Sequence, residues 1–203
     1  FVMSSPRWFK ETLYPHYSQS FSIGSVLWSA PSELQHLDVL DTPALGRVLV
    51  LDGVVQTTEK DEFFYHEAFA HVPILAHGSA KKVAVIGGGD GGLIREVLRH
   101  SSVAEVHMVE IDSSVVDLCK EYFPNHSAGA FDDPRLTLHF SDGATFLEST
   151  DHTFDVILVD STDPIGPGES LFTTAFYAAV KRCLAPGGIV VTQNGVPFMQ
   201  MDE

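Results

Sequence analysis

Positive charge is scarce in this chain. Twelve Lys and Arg residues face 27 Asp and Glu, a formal net charge of −15. A phosphate backbone is held by Lys and Arg contacts that release counterions, so this balance argues against a nucleic-acid partner. It favours cationic ligands only weakly, because many proteins are acidic. Cysteine is scarcer still. Cys119 and Cys183 both fall in helical patterns, which excludes a disulfide framework and reads as two buried, reduced thiols of a cytoplasmic protein. No apolar run approaches the ~20 residues that cross a bilayer, and no secretory signal pattern appears, so no membrane partner is expected. Internal repeats and low-complexity tracts are also missing.

What is present is a glycine run. Residues 83–92 read V-A-V-I-G-G-G-D-G-G. A short apolar stretch, Val83 to Ile86, enters the run, and a helical pattern from Leu93 to Leu98 leaves it. Gly87, Gly89 and Gly92 fit the G-x-G-x-x-G spacing of nucleotide-binding α/β folds. Lacking side chains, they let the backbone turn sharply and approach a ligand. Glu110 ends a second strand pattern, Glu105 to Glu110, where a carboxylate meets ribose hydroxyls in such folds.

Asp90, inside the glycine run, discriminates between ligands. In a dinucleotide enzyme the loop receives a diphosphate. A carboxylate there opposes that anion: two unit charges ~4 Å apart cost roughly 4 kcal/mol at an effective dielectric of ~20. It also opposes the carboxylate of intact S-adenosylmethionine. It suits an adenosyl ligand with a cationic tail. A simpler role, capping the following helix, is compatible with this one.

Organisation changes near residue 60. Before it, short strand patterns run from Phe21 to Trp28, Leu34 to Leu40, Arg47 to Leu51 and Val54 to Thr58, with Asp52-Gly53 as a hairpin turn. After it, helices and strands alternate. Helical patterns cover Asp61 to about His71, Ser113–Tyr122 and Thr173–Leu184. Strand patterns cover Val83–Ile86, Glu105–Glu110, Arg135–Phe140, Phe154–Val159 and Gly188–Gln193. The expected fold is α/β: a methyltransferase-like Rossmann, doubly wound parallel sheet over residues 61–203, preceded by a small antiparallel β-domain over residues 1–60. The last strand pattern lies close to Glu203, so further C-terminal strands are expected to be missing from this chain.

In open parallel sheets, ligands bind beyond the carboxyl ends of the strands. Each of the first four of those ends carries an acid here: Asp90, Glu110, Asp142, and the pair Asp160 and Asp163. Glu110 can take a ribose diol and Asp142 an adenine amino group, which leaves Asp90, Asp160 and Asp163 for something cationic. The segment from Asp160 to Glu169 is rich in proline and glycine, the composition of a lid or of a connector. His66 and His71 invite a metal reading, but they are five residues apart rather than the four that place two ligands on one helical face, so no metal is expected there. Tyr65 and His66 open the Rossmann half and are candidate pocket residues.

Together, the segments L-D-G-V-V-Q-T-T-E (51–59), D-E-F-F-Y-H-E (61–67), G-G-G-D-G-G (87–92), V-E-I-D (109–112), D-D-P-R (132–135), D-G (142–143) and D-S-T-D-P-I-G-P (160–167) resemble the polyamine aminopropyltransferase family, of the spermidine synthase type. The resemblance covers nearly the whole chain. It implies transfer of the aminopropyl group of decarboxylated S-adenosylmethionine to putrescine, giving spermidine and methylthioadenosine, with no cofactor. It implies that Gln35, Glu110, Asp142, Gly143 and Pro167 hold the nucleoside, beside Gly87 and Gly89 of the loop. It places Tyr65, His66, Asp90 and Asp163 around the amine chain with Gln56 nearby, and makes Asp160 the proton acceptor. It further implies a homodimer or homotetramer joined through the N-terminal β-domain. The apolar Phe21, Ile23, Val26, Leu27, Val48 and Leu49 of that small sheet are expected to need partners.

The chemistry is coherent from the residues upward. A sulfonium is already a good leaving group, so positioning and desolvation of a neutral amine supply most of the gain. Carboxylates fix the register of a diamine, and one of them removes its proton. Two alternatives stay open at this point: an S-adenosylmethionine-dependent methyltransferase on the same fold, and a truncated, inactive nucleoside-binding homologue. Putrescine, cadaverine, agmatine and spermidine as acceptors differ in length and end group, which pocket depth decides.

Overall fold

The structure, a computed structural model, describes residues 6–164 and 166–195. Its first part is antiparallel. Strands β1 (Arg7–Lys10) and β2 (Ser20–Ile23) form a two-stranded ribbon, and β3 (Ser25–Pro31), β4 (His36–Thr42), β5 (Gly46–Leu51) and β6 (Val54–Thr58) form a meander in that order. The expected single strand from Phe21 to Trp28 is therefore two strands. Gly24 separates them, its N–H bonded to the Asp41 carbonyl, and each half joins a different sheet. The expected start at Leu34 also moves. Ser32 Oγ accepts from the N–H groups of Leu34 and Gln35, which fixes a local turn, and β4 begins only at His36. Strand β1 had no alternating apolar pattern to announce it.

Alternation takes over at α1 (Glu62–His77), followed by β7 (Lys82–Gly87), α2 (Gly92–Leu98), β8 (Glu105–Glu110), α3 (Ser113–Tyr122), the single turn α4 (Pro124–Ser127), β9 (Leu136–Phe140), α5 (Gly143–Ser149), β10 (Phe154–Asp160), α6 (Thr174–Cys183) and β11 (Leu184–Thr192). A 3₁₀ segment, Gly166–Phe172, takes up the end of the stretch read as lid or connector; Ile165 of that stretch lies outside the described residues. Helix α1 runs six residues beyond the expected end because it continues through Pro73. Proline normally stops a helix by removing a ladder donor. Here burial of Phe69, Ala70, Pro73 and Ile74 on one face outweighs that loss, and Gly78 in the left-handed conformation ends the helix.

All five strands of the second sheet are parallel, in the order β11-β10-β7-β8-β9. The apolar alternation of β7 explains the double winding. Val83 and Val85 face Phe69, Ile74, Leu93 and Val97 of α1 and α2; Ala84 and Ile86 face Leu147, Phe176 and Val180 of α5 and α6. The chain leaves β7 in one direction for β8 and β9, then returns to β10 on its other side. Loops at such a switch point diverge and open a crevice. The meander closes this crevice from above: Leu37, Val39, Leu49 and Leu51 pack on Val115, Leu118, Cys119 and Phe123 around α3. Its opposite face, Leu40, Val48 and Val50, is covered by Phe9, Phe21 and Ile23. So four of the six apolar residues expected to need partners find them within the chain. Val26 and Leu27, with neighbouring Trp28, stay exposed. Cys119 and Cys183 are buried free thiols, and among the described residues no helix is long and apolar enough to cross a membrane.

Candidate active site

The crevice is a cavity of about 590 Å³, within the range that encloses a small organic ligand. The glycine loop forms its floor, and steric room explains why. Asp160 lies beside Gly87 in the register of β10 and β7. A Cβ on Gly87, whose φ is 86°, would fall 2.0 Å from the Asp160 carbonyl oxygen. A Cβ on Gly89 would fall 2.8 Å from both Glu110 and Val115. Neither position admits a side chain without moving backbone or a buried acid, so the loop brings Asp160 and Glu110 to its own surface.

At the α1 end of the cavity, charged groups interlock. His66 is 3% exposed. Its Nδ1 lies 2.6 Å from Glu62 Oε2 and its Nε2 3.4 Å from Asp90 Oδ2. Burial disfavours the imidazolium, but the two carboxylates outweigh it and raise its pKa to about 10. Arg95 clamps Glu62 through both carboxylate oxygens, at 3.1 and 3.0 Å. Burial pushes Glu62 up, yet His66 and Arg95 hold it at about 2. Asp90 also accepts from the Gly92 N–H at 2.8 Å, so it holds the first N–H of α2 while it faces His66; the N-cap position itself is Gly91. Burial opposes its charge; His66, through hydrogen bond and field, keeps its pKa low. Tyr65 donates its hydroxyl to Asp160 Oδ1 at 2.5 Å. Burial and then the Asp160 charge push the phenol pKa up.

Asp160 differs from Asp90. Burial, reinforced by the Asp90 charge, lifts its pKa to about 6 against the pull of His66 and Tyr65. It thus lies close to neutrality, the condition for accepting and returning a proton.

At the β8 and β9 end, the acids are held by backbone. Glu110 Oε1 accepts from the Asp112 N–H at 3.0 Å. Burial dominates over that bond and lifts its pKa to about 7. Asp142 caps α5, accepting from the Thr145 N–H at 2.7 Å and from Ser170 Oγ at 3.0 Å. Burial raises its pKa, and these donors outweigh it, so it stays ionised. Gln35 donates to Asp112 Oδ2 at 3.2 Å, which ties the meander to the end of β8. Gly143 leaves room for Ile86, whose Cγ2 would lie 2.4 Å from an added Cβ.

Twelve of the thirteen site residues named from sequence line this one cavity: Gln35, Gln56, Tyr65, His66, Gly87, Gly89, Asp90, Glu110, Asp142, Gly143, Asp160 and Pro167. Asp163 does not. It lines a smaller adjoining cavity of about 190 Å³, where Gln35, Gln56 and Pro167 also reach. Sequence reading missed Glu62 and Arg95, which fix His66. It also missed Thr57 and His126, bonded to each other at 3.0 Å, and Ser161, whose Oγ is buried without a hydrogen-bond partner on the cavity wall. The i,i+4 spacing of Glu62 and His66 was the available signal for the first. His66 and His71 do not converge: His71 Nδ1 bonds His100 Nε2 at 2.8 Å and its Nε2 faces Glu96 at 3.1 Å.

Two family models match the chain. One, described as the spermine/spermidine synthase domain, matches residues 62–203. The other, the spermidine synthase tetramerisation domain, matches residues 7–59. Polyamine aminopropyltransferase 1 of Pseudomonas aeruginosa is 60% identical over 195 residues, covering 96% of this chain and 68% of that protein. The polyamine aminopropyltransferase of Klebsiella pneumoniae is 59% identical over 202 residues, covering 100% and 70%. A solved spermidine synthase in complex with the transition-state analogue AdoDATO superposes with a TM-score of 0.92 at 41% identity, over 97% of this chain and 69% of that one. The spermidine synthase from Thermotoga maritima gives 0.87 at 38% identity, over 98% and 67%.

Proposed function

Since the chain belongs to the spermine/spermidine synthase family, we propose that it is an aminopropyltransferase that takes decarboxylated S-adenosylmethionine as donor and putrescine as acceptor. Relatives near 60% identity carry the aminopropyltransferase name, which supports the transfer itself. The single observation that supports the finer reading is the contrast between Asp90 and Asp160. Asp90 is an ionised carboxylate in the glycine loop, held by His66 and the Gly92 N–H. It repels a donor that keeps its carboxylate and attracts one ending in an amine. Asp160, with its pKa near 6 and bonded to Tyr65, faces the same space.

In this reading Glu110 accepts from the ribose hydroxyls and Asp142 from the adenine amino group, with Gln35, Gly143 and Pro167 around them. Asp90, Tyr65 and His66 surround the amine chain. Gln56 and Asp163 belong to its far end, where the smaller cavity adjoins. A primary ammonium has a pKa of about 10.4, so only about one molecule in 2,500 is neutral at pH 7. Asp160 takes the proton while the cavity strips water from the nitrogen, and the amine then displaces methylthioadenosine from the carbon next to sulfur. Copies of the chain associate as a dimer or tetramer through the β1–β6 region, where Val26, Leu27 and Trp28 are exposed. A monomer mass by light scattering at micromolar concentration would overturn that assembly.

The decisive assay offers decarboxylated S-adenosylmethionine with putrescine, cadaverine, agmatine or spermidine in turn, and identifies products by mass. Spermidine from putrescine is expected as the main product. No product from any of the four, or a methylated product from intact S-adenosylmethionine, would reject the assignment.

A further inference from the structure

Histidine is also gathered at the other end of the sheet. Glu105 and His107 lie on β8, His139 on the neighbouring β9, and His152 in the turn before β10. Glu105, His107 and His152 each offer one ligand atom, and these atoms lie within 4.8 Å of one another. Glu105 and Glu110 begin and end the same strand. At ~3.3 Å per residue the cluster is ~16 Å from the catalytic end of the sheet.

The arrangement has the order of a ligand set. His107 is 4% exposed, and both of its ring nitrogens are directed. Nε2 meets Glu105 Oε1 at 2.6 Å, and Nδ1 meets His139 Nε2 at 3.0 Å. His152 is exposed at the mouth, its ring centroid 4.5 Å from that of His107. Phe154 and Phe146 wall the cluster, with Phe154 centred 5.5 Å from His107 and Phe146 centred 4.8 Å from His139. Imidazole and carboxylate together are the donors that zinc-class ions prefer, at ~2.0–2.2 Å from the metal. Ligands at that distance in a tetrahedral site lie ~3.4 Å apart. Rotation of the exposed His152 and a small outward shift of Glu105 bring the three into that range.

We propose that Glu105, His107 and His152 bind a divalent transition-metal ion of the zinc class, with His139 as the residue that orients His107. In the ligating tautomer His107 presents Nε2 to the ion and carries its N–H on Nδ1, donating it to His139 Nε2, the usual support for a ligating imidazole. Three protein ligands leave a fourth position for water. The bound ion ties the β8–β9 edge of the sheet to the turn before β10. The site is separate from the catalytic cavity.

The test is calorimetric titration of untagged, chelator-stripped protein with zinc chloride. One ion per chain is expected, at micromolar affinity or tighter. His152→Ala, a change at an exposed position, should weaken binding at least ~10-fold, and His139→Ala should weaken it by ~10–100-fold. His71→Ala, in the separate His71–His100 pair, should leave it unchanged. Zinc should raise the melting temperature of the native chain but not of His152→Ala, while the two melt alike without zinc. Absence of saturable binding up to ~1 mM zinc would overturn the proposal. So would native affinity in His152→Ala, or loss of binding in His71→Ala alone.

Discussion

At the α1 end of the cavity, acids are held by side chains, most of them from distant segments of the chain; at the β8 and β9 end they are held chiefly by the backbone of their own loops. Glu62 is fixed by His66 and Arg95, Asp90 by His66, and Asp160 by Tyr65. Glu110 and Asp142 are fixed chiefly by the N–H groups of Asp112 and Thr145, two and three residues downstream. The difference has a physical lesson. A carboxylate held by neighbouring amides follows from any strand that turns into a helix. One held by an imidazolium needs a helix from a distant segment in register, and it fails as a unit when one member is lost. At each end there is nevertheless one acid for which burial outweighs the hydrogen bonds: Asp160 and Glu110 are raised to about 6 and 7.

The contrast breaks most sharply at Asp160. Asp160→Asn keeps the shape and removes the proton acceptor. Turnover should fall by ~10²–10⁴ at neutral pH and recover in part toward the pKa of the amine. A pH series from 7 to 10 checks this; a variant within about threefold of the native protein throughout would leave Asp160 only a positioning role.

Next in size is His66→Gln. Removing one member of a buried charge pair costs ~3–5 kcal/mol, and the lower figure applies because Glu62 keeps Arg95. The pH dependence sharpens the test. Unfolded, His66 loses its proton near 6.5; folded, it keeps it to about 10. The pairing therefore stabilises fully below pH 6.5, and its contribution disappears as pH rises through 10. The difference in melting temperature between the native and His66→Gln proteins should shrink over that window. A constant difference would show that His66 stabilises by packing alone.

Glu110→Gln tests the opposite end. A charged acceptor contributes ~1.5–3 kcal/mol per hydrogen bond against ~0.5–1.5 for a neutral one, so methylthioadenosine affinity should fall ~30-fold over two ribose bonds. Stability should move the other way. With its pKa raised from 4.5 to about 7, Glu110 costs the fold stability as pH rises through that interval. At pH 8 the variant should melt no lower than the native protein while binding the nucleoside more weakly. Unchanged calorimetric affinity would remove Glu110 from the nucleoside site.

The smallest effect is expected from Asp142→Ala. Loss of the α5 cap should cost ~1 kcal/mol, read as a shift in denaturant midpoint. A cost above ~3 kcal/mol would mean that the backbone-held end is as cooperative as the other.

Several decisions were legible in the chain. The switch from alternating to helical periodicity near residue 60, the strand–glycine–helix passage at Val83–Leu98 and the acids closing four of the parallel strands placed the cavity and four of the acids that line it. These signals are local: apolar period, backbone room and residue type at a strand end act within a few positions of one another. The split at Gly24 and the run of α1 through Pro73 were not legible, because a second sheet and a buried helix face decided them. The same holds for the site. The sequence alone determined that Asp90, Glu110, Asp142 and Asp160 stand at neighbouring strand ends. Only the tertiary structure decided that Asp90 and Glu62 keep His66 charged, that Asp163 turns to the adjoining cavity, and that Asp160 approaches neutrality while Asp90 stays ionised. Electrostatic coupling depends on distance and burial in space, and neither is a function of spacing along the chain.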